Sequence, residues 1–314
     1  MTSQSQLVRD QHIVPRWHLQ RFTDAQGVLW VYKQNLPVKR SRPKGECWER
    51  DFYEYAVKGR RTSNRYENWL GRIENDAAPL VERLISREQL GPSDAVVWAS
   101  YVASLFLRTQ KVRDQKSAAM VDETQSPEFI RDLQHEILKD GVLISAGDLR
   151  NQVAAFQASI ESRSSYYHLA GLENSAAALG EALMKKNWHV LQAPTEKFFV
   201  LSDCPVTTVE LAPDQQKPGV GFGHALAAII LPLTPQHAFV AAPALAQWKP
   251  VVSPRVVDSI NQLTVWFAHK RVFAQVTSPE IQSLVNEEIN HLVFGQDGFL
   301  PSNQNSPCDR HEVQ

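Results

Sequence analysis

Apolar residues recur at two different periods along this chain, and the changes of period divide it into three zones. Between about residues 63 and 186 the period is three to four. Tyr66, Leu70, Ile73, Ala77, Leu80 and Leu84 share one helix face, with Ser63 or Asn64 as the N-cap and Glu67 three residues after Asn64. Pro79 falls on the opposite face and predicts a bend. Gly91-Pro92-Ser93 predicts a turn, with Ser93 capping a second helix that carries Trp98, Tyr101, Val102, Leu105, Thr109 and Val112 on its face. Further helices are predicted near 127–139, 146–163 and 174–186, punctuated by Gly141 and Gly171.

The flanking zones alternate instead. After Gly27, residues Val28, Trp30 and Tyr32 face one way and Leu29 and Val31 the other, which predicts a strand covered on both sides. Residues 51–57 predict a second strand, and the basic stretch 39–44, with Pro43, a loop. From 187 onward, 188–192 and 197–201 predict two strands joined by a hairpin loop at 193–196. Short strands follow at 206–210, 228–231 and 238–241, with a loop containing Gly219, Gly221 and Gly223 that reads as mobile. A helix over 253–263, a strand over 271–276 and a helix over 279–291 complete the zone. Runs of like elements, without strict alternation, predict an α+β fold. The expected arrangement is a helical middle layer packed on a mixed or antiparallel sheet formed from N- and C-terminal segments. One domain is expected over 12–295, between an N-terminal tail (1–11) and a disordered tail (296–314).

Composition narrows the function classes. The chain has 314 residues, with 33 Lys and Arg against 34 Asp and Glu, a formal net charge of -1. That excludes a strongly basic nucleic-acid binder acting through global charge. Cys47, Cys204 and Cys308 form no C-x-x-C pair, which excludes a disulfide scaffold and a cysteine-rich zinc module. The longest apolar runs, 96–107 and 225–231, fall short of the roughly 20 residues that span a bilayer, so no membrane partner is expected. With no signal-peptide pattern, a cytoplasmic location is expected.

Candidate chemistry rests on a few polar residues. Glu67 and Glu74 are seven apart, so on a helix they lie about 20° apart in projection, at the edge of the apolar stripe. There they can act as a general base or ligate a divalent metal, or else pair with a cation on a neighbouring helix. Arg108 sits beside the stripe of the next helix. It can hold a phosphate or carboxylate by two parallel bonds, or neutralise Glu67 or Glu74. His12 precedes Pro15 in a segment anchored by Trp17, Leu19 and Phe22, and can move protons near neutral pH or pack as a structural histidine. Asp203 follows the apolar strand at 198–201 and can complete a carboxylate set with Glu67 and Glu74 for a metal, or make an Asx-turn. Cys204 lacks a histidine partner placed by sequence and is a weak nucleophile candidate.

Locally the charge is not balanced. Between 39 and 65 nine Lys and Arg, among them Arg40, Arg42, Lys44, Arg60 and Arg61, face four acidic residues, with Trp48, Phe52, Tyr53 and Tyr55 interleaved. Such a strip can track a phosphate backbone and stack bases, or be a solvated basic loop.

The opening His12-Ile13-Val14-Pro15-Arg16-Trp17-His18-Leu19-Gln20-Arg21-Phe22 resembles the start of the uncharacterised family known as domain of unknown function 4238. The likeness continues through the strand at 27–32, Glu67 and Glu74, Arg108-Thr109, Leu201-Ser202-Asp203-Cys204-Pro205-Val206, Leu231-Pro232-Leu233-Thr234-Pro235, Asn261 and Arg271. Cys204 stands where a small polar residue is expected, and Gln110 where a proline often follows Arg-Thr. The resemblance implies a shared architecture and no established activity. The residues themselves point to a hydrolase of phosphodiester or nucleotide substrates, in the manner of a defence nuclease. Glu67, Glu74 and Asp203 would bind metal or activate water, His12 would shuttle a proton and Arg108 would hold phosphate. The alternative is a non-catalytic module that binds nucleic acid or a partner protein, with the same residues as a structural polar network.

Overall fold

A computed structural model of the chain describes residues 10–290, apart from 51, 54–55, 58–59, 62–64, 140–142, 170, 212–217 and 244–248. The expected N-caps Ser63 and Asn64 and the tail at 296–314 lie outside the described residues. The chain begins with β1 (Asp10–His12), α1 (Arg16–Gln20), β2 (Leu29–Tyr32), β3 (Lys39–Ser41), β4 (Trp48–Arg50), β5 (Ala56–Val57) and β6 (Arg60–Arg61). The helical zone holds α2 (Arg65–Ala77), α3 (Leu80–Ile85), α4 (Pro92–Leu107), α5 (Gln110–Glu123), α6 (Pro127–Lys139), α7 (Ala146–Ser162), α8 (Ser164–Leu169) and α9 (Leu172–Met184). The third zone holds β7 (Asn187–Gln192), β8 (Leu201–Ser202), β9 (Thr207–Glu210), β10 (Ala227–Thr234), β11 (His237–Ala242), α10 (Pro254–Phe267), β12 (Val272–Ala274) and α11 (Pro279–Glu288).

The fold is α+β with antiparallel sheets. In place of one sheet there are two of four strands. The first, β7-β11-β10-β9, is built wholly from the third zone. The second, β3-β2-β12-β8, joins the two ends of the chain, because β12 pairs with β2 on one side and β8 on the other. α4 lies at the centre. Trp98 and all of residues 101–107 are buried, and its flanks pack on α2 and α9. Trp98 meets Phe239 of β11 edge-on with ring centroids 5.5 Å apart, and Phe106 meets Phe222 at 4.9 Å. Burial on every side explains why α4 reads as almost continuously apolar.

Several expectations are corrected. Pro79 does not bend one helix but separates α2 from α3, since it cannot donate to the helical ladder. α4 starts with Pro92 at its first turn after Gly91, so Ser93 is inside the helix and not its cap. The stretch at 39–44 contains a strand, β3, whose polar residues hid it. It is an edge strand, and Arg40 lies over the Trp30 ring and pairs with Asp24 at 3.0 Å. β7 and the residues at 197–200 form no hairpin. Asn261 of α10 accepts from the Val200 N–H (3.0 Å) and donates to the Phe198 carbonyl (2.8 Å), which ties that segment to a helix. The glycine-rich loop is packed through Phe222, which is fully buried. Pro232 stands in the inner strand β10 at a register shift. Its carbonyl accepts from His18 Nε2 at 2.8 Å, which leaves Nδ1 to accept from the Tyr101 hydroxyl at 2.7 Å. Burial pushes the His18 imidazole down to about 4, so it is a neutral pin between α1, α4 and β10. Among the described residues no helix is long and apolar enough to cross a membrane.

Candidate functional site

His12 ends β1, held in register opposite Trp48 of β4. The next amide, of Ile13, donates to Cys47 O at 2.7 Å. Pro15 then fixes the backbone at the start of α1, so that Arg16 and Gln20, one turn apart, face outward while His18 and Leu19 face the core. Opposite, α2 presents Glu67 and Glu74 two turns apart. Together His12, Arg16, Trp17, Gln20, Glu67 and Glu74 line a cavity of about 470 Å³. The N-terminal segment and the second-zone helix therefore meet at one place.

Arg108, at the C-terminal cap of α4, lies behind this wall. It is fully buried, and its Nη1 donates to Glu74 Oε1 at 2.5 Å. The Tyr53 phenol is close enough for the guanidinium charge to act on it. Arg108 Nε and Nη2 are buried without a hydrogen-bond partner, as are His12 Nε2 and Trp17 Nε1. Native interiors pair about nine in ten such groups, and among the described residues unpaired atoms also occur at Trp98, His168, Thr207 and Thr208.

Two of the titratable groups that line the cavity, Glu67 and His12, shift in opposite directions. Burial, reinforced by the Glu74 charge and opposed by Arg108, raises the Glu67 carboxyl to about 7. His12 is pushed below its usual value, chiefly by burial, with Arg16 and Arg108 adding to the effect and Glu74 opposing it. At neutral pH His12 is therefore neutral while Glu67 is about half protonated. Glu74 is paired with Arg108, and Arg16 is the exposed cation that lines the cavity. Glu67 also borders a second depression of about 590 Å³ along the outer face of α2, where Arg72 and Asn75 are exposed.

Asp203 is not among the residues that line this cavity. Its Oδ1 accepts from the His269 amide (2.8 Å), and its Oδ2 from the amides of Lys270 (2.9 Å) and Arg271 (3.0 Å). Glu67, Glu74 and Asp203 thus do not converge as a metal set, and among the described residues no group of three or more His, Cys, Asp or Glu is placed to hold an ion. Asp203 anchors the turn between α10 and β12. Asp203→Ala is expected to lower stability by about 2 kcal/mol through three stranded amides, read by urea titration, with no change in ligand affinity at the α2 cavity. Cys204 is buried, and burial together with Asp203 pushes its thiol far above the usual range, which removes it as a nucleophile.

Three cations of the basic strip are ion-paired among the described residues. Lys39 pairs with Glu46 at 3.1 Å, Arg40 with Asp24, and Arg65 with Glu173 at 2.9 Å. Arg42 and Lys44 are exposed without an ion pair among the described residues. The backbone of Arg60 and Arg61 forms β6, while their side chains lie outside the described part of the structure. Sequence reasoning passed over Gln11 and read Tyr53 only as an aromatic of the basic strip. Gln11 Oε1 accepts from the Tyr53 amide at 2.5 Å, and the Tyr53 hydroxyl donates to His12 O at 3.4 Å, so both buttress His12. Their roles run through backbone atoms and leave no spacing signal. The outward Arg16 and Gln20 could have been found from the i, i+4 step after Pro15.

A family model described as "Protein of unknown function (DUF4238)" matches residues 10–278. The chain belongs to this family. The match takes in His12, both α2 carboxylates, Arg108 and Asp203, and ends at Ser278, the N-cap of α11. No curated protein and no solved structure matches the chain.

Proposed function

We propose that this DUF4238 protein is a hydrolase of phosphodiester or nucleotide substrates, with the cavity between α1 and α2 as its active site. What supports this reading is that His12, Glu67, Glu74 and Arg16 line one cavity, where burial raises the Glu67 carboxyl to about 7 and lowers His12. His12 takes a proton from water as the water oxygen bonds to phosphorus. Glu67 gives its proton to the leaving oxygen as the P–O bond breaks, and solvent returns both residues to their starting states. In this reading Arg16, which lines the cavity, and Arg72, which lines the neighbouring depression that Glu67 also borders, hold non-bridging or flanking phosphate oxygens. Trp17 offers a flat wall for a base.

The required protonation state is neutral His12 with protonated Glu67. It is also the prevailing state between the lowered His12 value and about 7. Cleavage of labelled single-stranded DNA, RNA and mononucleotides between pH 4 and 9 should trace a bell that falls on the alkaline side near 7. His12→Asn should remove the acid limb along with most of the rate. A wild-type protein that turns over no member of that panel, or a flat profile, rejects the reading.

A further inference from the structure

The sheet β7-β11-β10-β9 ends at β7, and the outer edge of β7 is only partly covered. Its last residue, Gln192, donates its N–H to Pro250 O at 2.7 Å and accepts from the Val252 N–H at 3.0 Å. Backbone groups of alternate residues in a strand point to the same side. The N–H and C=O of Val190 and Trp188 therefore point outward like those of Gln192, while those of Leu191 and His189 face β11. Among the described residues no backbone group or side chain bonds these four outward groups.

A cavity of about 460 Å³ runs along this edge. Residues 188–191 form one side, Leu84 and Leu90 give it an apolar floor, and Arg87 and Lys249 stand at its mouth. His189 Nε2 is buried there without a partner. Arg87 adopts φ 59° where the chain leaves α3, a position that normally favours glycine. Glu88, which also lines the cavity, shares Arg83 with Asp94 at 2.7 Å each, so with Arg87 and Lys249 the group carries an excess of one positive charge. An open strand edge, an apolar floor and two cations describe one occupant.

We infer that this edge is a docking site for an extended acidic peptide segment of a partner protein, which adds to β7 as a further strand. Val190 and Trp188 supply its main-chain bonds. One side chain enters the floor between Leu84 and Leu90, and a carboxylate meets Arg87 and Lys249. The surface is separate from the α1–α2 cavity and does not depend on the hydrolase reading.

The test is a random heptapeptide phage library panned against the full-length protein. Val190→Pro removes one outward N–H and leaves the β11 pairing intact, as prolines on edge strands do. Enriched peptides should carry Asp or Glu. A synthetic copy of the most enriched peptide should bind Val190→Pro and Arg87→Glu at least ~10-fold more weakly than wild type. N-methylation of alternate peptide amides should weaken binding similarly, and this holds as a test even if Val190→Pro fails to fold. Absence of enrichment, or enriched peptides without carboxylates, overturns the inference. So does binding that survives N-methylation, which would mark the cavity as a side-chain pocket for small molecules.

Discussion

Glu67→Gln is expected to reduce phosphodiester cleavage at least ~100-fold, the low end of what a positioned general acid contributes. The same substitution should make the protein more stable at pH 8. Burial holds the Glu67 carboxyl at about 7 in the folded chain, against an ordinary value of 4.5. Between those values the folded state binds the extra proton, so this group's contribution is fully present below 4.5 and is lost as pH rises through about 7. Above that range the buried, ionised carboxylate costs about 3 kcal/mol, which glutamine does not incur. For a domain of this size that corresponds to a melting temperature roughly 6–12 °C higher at pH 8, with little difference at pH 4.5. Calorimetry at the two pH values, beside a cleavage assay, reads both effects. Stability gained where activity is lost is the mark of a group held in an unfavourable environment for its chemistry. A variant that is active, or less stable than wild type at pH 8, removes Glu67 from the mechanism.

Much of the framework can be read from periodicity, and the exceptions have physical causes. α6 spans the predicted 127–139 and α7 all but the last residue of the predicted 146–163, because local pattern and turn residues decide both. α4 and α5 read as one helix because Thr109 and Val112 stay in phase with the stripe. The break appears only in the side-chain bond from the Val112 N–H to Thr109 Oγ1, at 3.3 Å, which caps a new helix. A sheet joining both ends of the chain was expected and is present, but which strands pair in it could not be read. β2 finds β12 some 240 residues away, and no local signal records a pairing of that separation.

The site follows the same division. The seven-residue step from Glu67 to Glu74 survives folding because it depends on one helix. The need of Arg108 for an anion was equally legible, and Glu74 meets it. Asp203 looked similar in sequence, since an aspartate at a strand end serves a turn or a site with equal ease, and here both oxygens are taken by amides. What sequence could not supply was the proximity of His12 to α2, because β1 is held in place by its pairing with β4, which no local pattern records.

The Arg108–Glu74 pair carries the largest expected change in stability. Arg108 has no other carboxylate bonded to it and no exposed surface. Glu74→Gln keeps an acceptor oxygen but leaves the guanidinium charge buried and uncompensated, at a cost of about 3–5 kcal/mol. The melting temperature should fall by roughly 6–20 °C. Arg108→Met should cost less, because the Glu74 side chain is 21% exposed and can turn toward water in the cavity. The double variant should be more stable than Glu74→Gln alone, and thermal melts of all four proteins give the coupling directly. The pair also sets the site's acidity. Glu74 raises the Glu67 carboxyl and Arg108 lowers it. In Glu74→Gln the alkaline limb of the rate profile should therefore move to lower pH, and in Arg108→Met to higher pH. Opposite shifts from the two members of one ion pair distinguish control of Glu67 from a general loss of structure. If both variants only lose stability and their pH profiles superimpose on wild type, the pair is a clamp between α2 and α4 and takes no part in the chemistry.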